Sequence, residues 1–128
     1  MAHDTLSFNL VVTESDSVSG DQLTEQSYAF TRGADRIFSY RGVISATTGF
    51  ILPLDELTVV DGFLVINTHA TTSVRCRYTA ASGGGETRFD LASGEFSLVH
   101  NVALSTVPYF QGAGTASAGT IVWWGPEP

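Results

Sequence analysis

Hydrophobic and polar residues alternate with a period of two along much of the chain. Every second residue of Thr5–Val12 is apolar, and the same spacing recurs in Ser73–Ala80 and Glu86–Leu91. This spacing is typical of strands with one buried face, and strand signals return about every 8–12 residues from Tyr28 onward. No segment carries an apolar stripe at helical spacing. We therefore predict an all-β fold: an antiparallel, jelly-roll-like β-sandwich of about eight to ten short strands with little or no helix, a closed barrel being the alternative.

Two turn signals predict hairpins. Asp61-Gly62 lies between the apolar runs Leu57–Val60 and Phe63–Thr68, and an Asp-Gly pair in that setting favours a two-residue hairpin. A glycine-rich loop at 81–85 joins the second pair of strands. In that pair, Arg75 or Arg77 is expected to face Asp90 or Glu86 across the two strands.

An acidic segment follows the first predicted strand. Thr13–Ser27 contains Glu14, Asp16, Asp21 and Glu25 and no basic residue. Like charges repel one another and can bury little, so we expect a long, flexible, solvated segment at about 13–27 within a single domain spanning 1–128. A calcium loop is the sharper alternative, although the acidic spacing departs from the EF-hand pattern.

Composition and charge narrow the classes of function. The 128 residues carry a net charge of −7, and all six basic residues are arginines. Such an acidic chain has no general attraction for nucleic acid or an anionic membrane surface. The longest apolar runs have four residues, against about 20 for a membrane span, and the N-terminus has no secretory pattern. Cys76 is the only cysteine, so no internal disulfide forms, which fits assembly in a reducing cytoplasm.

Residues for catalysis or metal binding do not form a recognisable motif. No Gly-x-Ser-x-Gly elbow occurs, and the histidines His3, His69 and His100 lack a partner at metal-ligand spacing. Gly83–Gly85 precedes a strand and not a helix, so it lacks the helix N-terminus of a phosphate site. Cys76 is predicted to be a small core residue. We expect no catalytic, cofactor-binding or metal-binding residues and no enzymatic activity, a small hydrolase or metal-dependent enzyme being a third hypothesis.

Four aromatic residues are predicted to make contacts. Trp123 and Trp124 are adjacent on a predicted strand, so their side chains point to opposite faces and cannot both enter one core. Tyr109 and Phe110 lie in a poorly patterned stretch. Large aromatics near a surface favour contacts with another subunit or with sugar rings.

Short phrases within residues 61–101 resemble a known group of proteins. They are Ile66-Asn67-Thr68, Val74 with Arg77-Tyr78-Thr79, a glycine-rich hairpin, Phe89-Asp90-Leu91 and Gly94-Glu95-Phe96. This stretch resembles small β-sandwich structural proteins of tailed-phage virions, which decorate heads or form parts of tails and fibres. The resemblance implies a non-enzymatic assembly subunit and carries over no catalytic residue.

The leading hypothesis is therefore a structural protein of a phage virion, made in the host cytoplasm. It would act through contacts with itself, as a homo-oligomer, and with other virion proteins, needing no cofactor, nucleic acid or membrane. The alternative is a carbohydrate- or receptor-binding β-sandwich module that recognises a host-surface glycan through the same aromatics.

Overall fold

Ten strands in three antiparallel sheets make up the described part of the chain. The computed structural model describes residues 4–34, 36–52, 57, 59–79, 85–99, 104 and 108–126. No helix occurs in these residues, and so none is long and apolar enough to cross a membrane. The strands are β1 (Asp4–Ser15), β2 (Gln22–Ala34), β3 (Arg36–Ile44), β4 (Phe50–Ile51), β5 (Gly62–Asn67), β6 (Val74–Tyr78), β7 (Thr87–Leu91), β8 (Phe96–Val99), β9 (Tyr109–Gly112) and β10 (Ser117–Gly125).

The last eight strands form the body of the molecule, a sandwich of two four-stranded sheets. The first sheet has the order β3-β10-β5-β8 and the second the order β4-β9-β6-β7. All neighbouring strands are antiparallel, and successive strands alternate between the two sheets except at one step, where β6 and β7 are neighbours in the same sheet. This is the jelly-roll arrangement of eight strands in two Greek keys. The predicted all-β sandwich is confirmed.

Apolar side chains from alternate strand positions fill the space between the two sheets. Phe63 of β5 lies edge-on to Phe110 of β9, with ring centroids 5.4 Å apart. Trp123 of β10 lies edge-on to Phe50 of β4 at 6.0 Å. Since both pairs join opposite sheets, these side chains define the inward face of their strands, and every second residue points outward.

A buried amide ties the ends of several strands together. Asn67, fully buried at the end of β5, donates through Nδ2 to the carbonyls of Thr72 and Leu91 at 2.9 and 2.8 Å. Its Oδ1 accepts the backbone N–H of His69 at 2.9 Å. Ser117 of β10 donates to the same Thr72 carbonyl at 2.8 Å. The Asn67 amide and the Ser117 hydroxyl are thereby satisfied although both residues are buried.

The predicted hairpin at Asp61-Gly62 is wrong, whereas the one at 73–91 is confirmed. Gly62 begins β5 opposite Trp124 of β10, and a Cβ at Gly62 would overlap the Trp124 ring. The described residues before Asp61 are not in a strand. The glycine therefore makes room for an indole instead of forming a turn. In the second pair, β6 and β7 are antiparallel, and Arg75 lies opposite Asp90 as expected.

The first two strands form a separate two-stranded sheet, which we call the arm (residues 4–34). β1 and β2 pair antiparallel from Asp4 opposite Ala34 to Ser15 opposite Gln22. Residues 16–21 form the turn. The segment at 13–27, expected to be long, flexible and solvated, is mostly paired strand with exposed side chains. Both faces of the hairpin are exposed in this segment. The alternation of buried apolar and exposed polar residues that identifies a strand in a sequence is therefore missing from it.

Candidate interaction surface

The arm exposes an unusual amount of apolar surface. From Val11 to Ala29, every side chain except that of Asp16 is exposed. The described part of the chain has nine exposed large hydrophobic residues, and six of them lie on the arm. Those six are Leu10, Val11, Val12, Val18, Leu23 and Tyr28. Exposed apolar residues gathered on one element, rather than scattered singly, are characteristic of an interaction site.

The base of the arm packs on the outer face of the first sheet. Trp123 faces the second sheet, so its neighbour Trp124 points to the opposite side of β10. There Phe8 of β1 covers the Trp124 ring, with centroids 5.5 Å apart, and Trp124 is 0% exposed. Phe8 itself is half-buried. This aromatic contact therefore marks the junction of arm and body.

An apolar groove lies beside that junction. Its volume is about 340 Å³, and its walls come from the arm on one side and from outward-facing residues of β5 and β8 on the other. Among the described strands β8 lies at the edge of its sheet, so the groove opens beside that edge. The lining residues are Phe8, Asn9, Leu10, Tyr28, Leu64, Ile66, Phe96 and Leu98.

The tip of the arm is acidic and locally ordered. The Asp16 carboxylate accepts the backbone N–H groups of Val18 and Ser19, each at 2.8 Å. These hydrogen bonds, first that from Ser19, lower the pKa of Asp16 below its ordinary value of 3.8. Gly20, with φ of 77°, supplies the left-handed residue that the turn needs. The tip thus carries a fixed negative charge at neutral pH.

Arginines cluster on the outer face of the second sheet. Three of the six basic residues, Arg75, Arg77 and Arg88, line a depression of about 460 Å³ together with Phe89 and Asp90. Arg75 pairs with Asp90 at 3.3 Å, and Arg88 pairs with Glu86. We call this surface the arginine face.

Three of the four aromatics predicted to make contacts are buried within the chain. Trp123 is 4% exposed and stacks on Phe38, with centroids 5.7 Å apart. Phe110 is 0% exposed in the same core. Trp124 lies on the other side of β10, as the opposite-face argument requires, but the arm covers it. These three rings stabilise the fold and its junction with the arm, and they offer a partner almost no surface.

Tyr109 is the predicted contact residue that remains accessible. It points outward from β9 and is half-buried. The Arg77 guanidinium lies 5.0 Å from the centre of its ring, at cation–π distance, and donates to Oε1 of Gln111 at 3.1 Å. Tyr109 therefore belongs to the border of the arginine face.

Among the described residues, Cys76 and His69 have side chains that could react or bind a metal, and both have structural roles. Burial, and then the charge of Asp90, raises the pKa of Cys76 to about 12, so its thiol stays protonated at neutral pH. His69 accepts the backbone N–H of Thr72 through Nδ1 at 2.9 Å within a turn. The described residues include no group of three or more His, Cys, Asp or Glu side chains able to hold a metal ion. His3 and His100 lie outside the described residues.

The comparisons with known proteins add no relative. No protein-family model, no curated protein and no solved structure matches the chain.

Proposed function

We propose that this chain is a structural assembly subunit that acts through subunit–subunit contacts without enzymatic activity. The resemblance at residues 61–101 suggests the setting: a phage virion, assembled in the host cytoplasm, with the subunit on the head or in the tail. Its partners would be other copies of itself and other virion proteins. Jelly rolls occur in viral capsid proteins and in lectins, so the fold is compatible with this role and does not by itself select it.

One observation carries the proposal: the arm is a long hairpin whose apolar residues are left in solvent. An isolated two-stranded hairpin is at best marginally stable in water. The outer half of this hairpin gains little from the body, because its side chains from Val11 to Ala29 are almost all exposed. Burial of half-exposed residues such as Val12 and Leu23 against a neighbour would contribute about 1 kcal/mol each. A contact between subunits therefore supplies the burial that the single chain lacks.

The test is the mass in solution across a concentration range, measured by light scattering. We expect the wild-type chain to associate. A double variant, Val12→Ser with Leu23→Ser, should weaken association by about tenfold or more, because two contact side chains are truncated. The control is Val43→Ser, which removes a valine that is more exposed than Val12 from β3, outside the arm. A wild-type chain that stays monomeric, or a double variant that associates like wild type, contradicts the proposal.

The second candidate is a glycan-binding module, and Tyr109 is the observation that favours it. Its half-exposed ring is bordered by Arg77 and Gln111, and sugars are bound by stacking on such rings and by neighbouring hydrogen-bonding groups. Binding to a glycan array at concentrations where the chain is monomeric, lost in Tyr109→Ala, would favour this candidate over assembly.

A further inference from the structure

The charges of the arm are all of one sign along most of its length. Residues 5–31 contain four carboxylates, Glu14, Asp16, Asp21 and Glu25, and no basic residue. Glu14 and Glu25 lie opposite Thr24 and Thr13, so no cation compensates them across the hairpin. All four flank or form the turn at the tip. The exposed end of the arm is therefore negative as well as apolar.

The arginine face has the opposite character. Arg77 on β6 lies directly opposite Arg88 on β7, and like charges at that position are destabilising. Arg75 and Arg88 have carboxylate partners, whereas Arg77 has none among the residues that the structure describes. Its guanidinium instead contacts Gln111 and the Tyr109 ring. In a chain of net charge −7, this face concentrates half of the arginines, and the structure describes no carboxylate paired with Arg77.

The base of the arm and the arginine face lie on opposite sides of the sandwich. The arm rises from the outer face of the first sheet, where Phe8 covers Trp124. The arginine face is the outer face of the second sheet, on the side of β6 away from the fully buried Cys76. A complementary pair of surfaces placed on opposite sides suits contacts between copies, because each copy then offers one surface to each neighbour.

We propose that the acidic tip of the arm in one copy docks on the arginine face of the next, giving a head-to-tail contact. This inference rests on the proposed function and names its partner as a second copy of the chain. The carboxylates of the tip would meet Arg77 and Arg88 and relieve the repulsion between them, while Val18 and Leu23 would lie near Tyr109 and Ile51. Because the contact joins two different surfaces, repetition closes a ring or extends a filament.

Charge reversal tests the contact. We expect Arg77→Glu to raise the dissociation constant of self-association by about tenfold or more, and Asp21→Arg with Glu25→Arg to do the same from the other side. Arg41→Glu is the control, since it makes the same charge change at an exposed position of the first sheet, whereas Arg77 is half-buried on the second. Raising NaCl from about 0.05 M to about 1 M, where the screening length is about 3 Å, should also weaken association.

Rescue makes the test specific. A chain that combines Arg77→Glu and Arg88→Glu with the two arm reversals should associate again, because every head-to-tail contact regains opposite charges. Thermal melting checks that each variant folds, and the arm variants provide a second route if a β6 variant does not. If neither charge reversal changes the dissociation constant, or if the combined variant does not associate again, the head-to-tail contact is wrong. Either result leaves the proposed assembly role unaffected. A wild-type chain that remains monomeric overturns both.

Discussion

The body and the arm use the same antiparallel pairing but obtain their stability from different sources. In the body, residues such as Phe63 and Phe110 are fully buried between two sheets. In the arm, Val12 is 51% exposed and Tyr28 is 53% exposed, and at the base Phe8 packs on Trp124 of the body. The comparison shows that strand pairing without a second layer leaves apolar residues in water. On the proposed function, a neighbouring copy would cover the apolar residues that the arm leaves exposed.

The largest effect should come from the core of the body. Phe63→Ala removes a ring of the first sheet that contacts Phe110 and Tyr78 of the second sheet, so a cavity is left between the sheets. We expect a loss of about 4 kcal/mol in the free energy of unfolding, measured by urea denaturation. Tyr28→Ala on the arm should change it by less than about 0.5 kcal/mol. Equal losses in the two variants would remove the distinction between body and arm.

The next largest loss of stability should come from removing the buried side-chain amide of Asn67. Asn67→Ala removes the side-chain partner of the Leu91 carbonyl and of the His69 N–H, while the Thr72 carbonyl keeps only the hydrogen bond from Ser117. Unsatisfied buried groups are costly, and we expect a loss of about 3 kcal/mol in the free energy of unfolding. Ser117→Ala, which removes one hydroxyl from the same network, should cost about 1 kcal/mol. A loss no larger for Asn67→Ala than for Ser117→Ala would show that the amide is dispensable.

A substitution at the junction of arm and body should lower the free energy of unfolding less and should also change the tryptophan fluorescence. Phe8→Ala uncovers the Trp124 indole, so tryptophan fluorescence should shift to longer wavelength, while the free energy of unfolding falls by only about 1–2 kcal/mol. Tyr28→Ala is the matched arm variant, because Tyr28 lines the groove but is half-exposed. An identical shift in both variants would contradict the specific contact between Phe8 and Trp124.

The smallest effect concerns the acidic turn. Because the pKa of Asp16 is lowered in the folded chain, its carboxylate stabilises the turn at pH values above 3.8, and this contribution disappears as the pH falls through the lowered pKa. Hydrogen exchange of the Val18 and Ser19 amides, corrected for the intrinsic pH dependence, should therefore lose protection in acid. Asp16→Ala should lose it at every pH, and Asp16→Asn, which keeps an acceptor, should retain part of it. Protection independent of pH and of these changes would contradict the role of the carboxylate.

How far the sequence predicts the structure depends on whether a residue's partner is near or distant. The hairpin of β6 and β7 was predictable, because Val74 and Cys76 face the core and Arg75 faces solvent. The strands at 13–27 were not, because the arm has no buried face there to impose alternation. Gly62 was wrongly assigned to a turn. A glycine is needed there because a side chain would overlap the ring of Trp124, which is distant in the chain.

The same distinction explains the candidate site. The sequence alone predicts the acidic charge of the arm and the opposite orientation of Trp123 and Trp124. Which tryptophan enters the core, and what covers the other, depends on packing between sheets and on Phe8. The apolar groove and the pairing of Arg77 with Arg88 require the strand order, which no local pattern contains.

Hydrogen exchange at low and high protein concentration tests most directly that the arm is completed by another subunit. When copies associate, we expect slower exchange of the backbone amides in the outer half of the arm, including the amides of β1 and β2 that make no hydrogen bond within the hairpin. The amides of the core strands β5 and β10 should keep the same exchange rates. Exchange in the arm that does not change on association, with new protection confined to other strands, would contradict the role of the arm as the subunit contact.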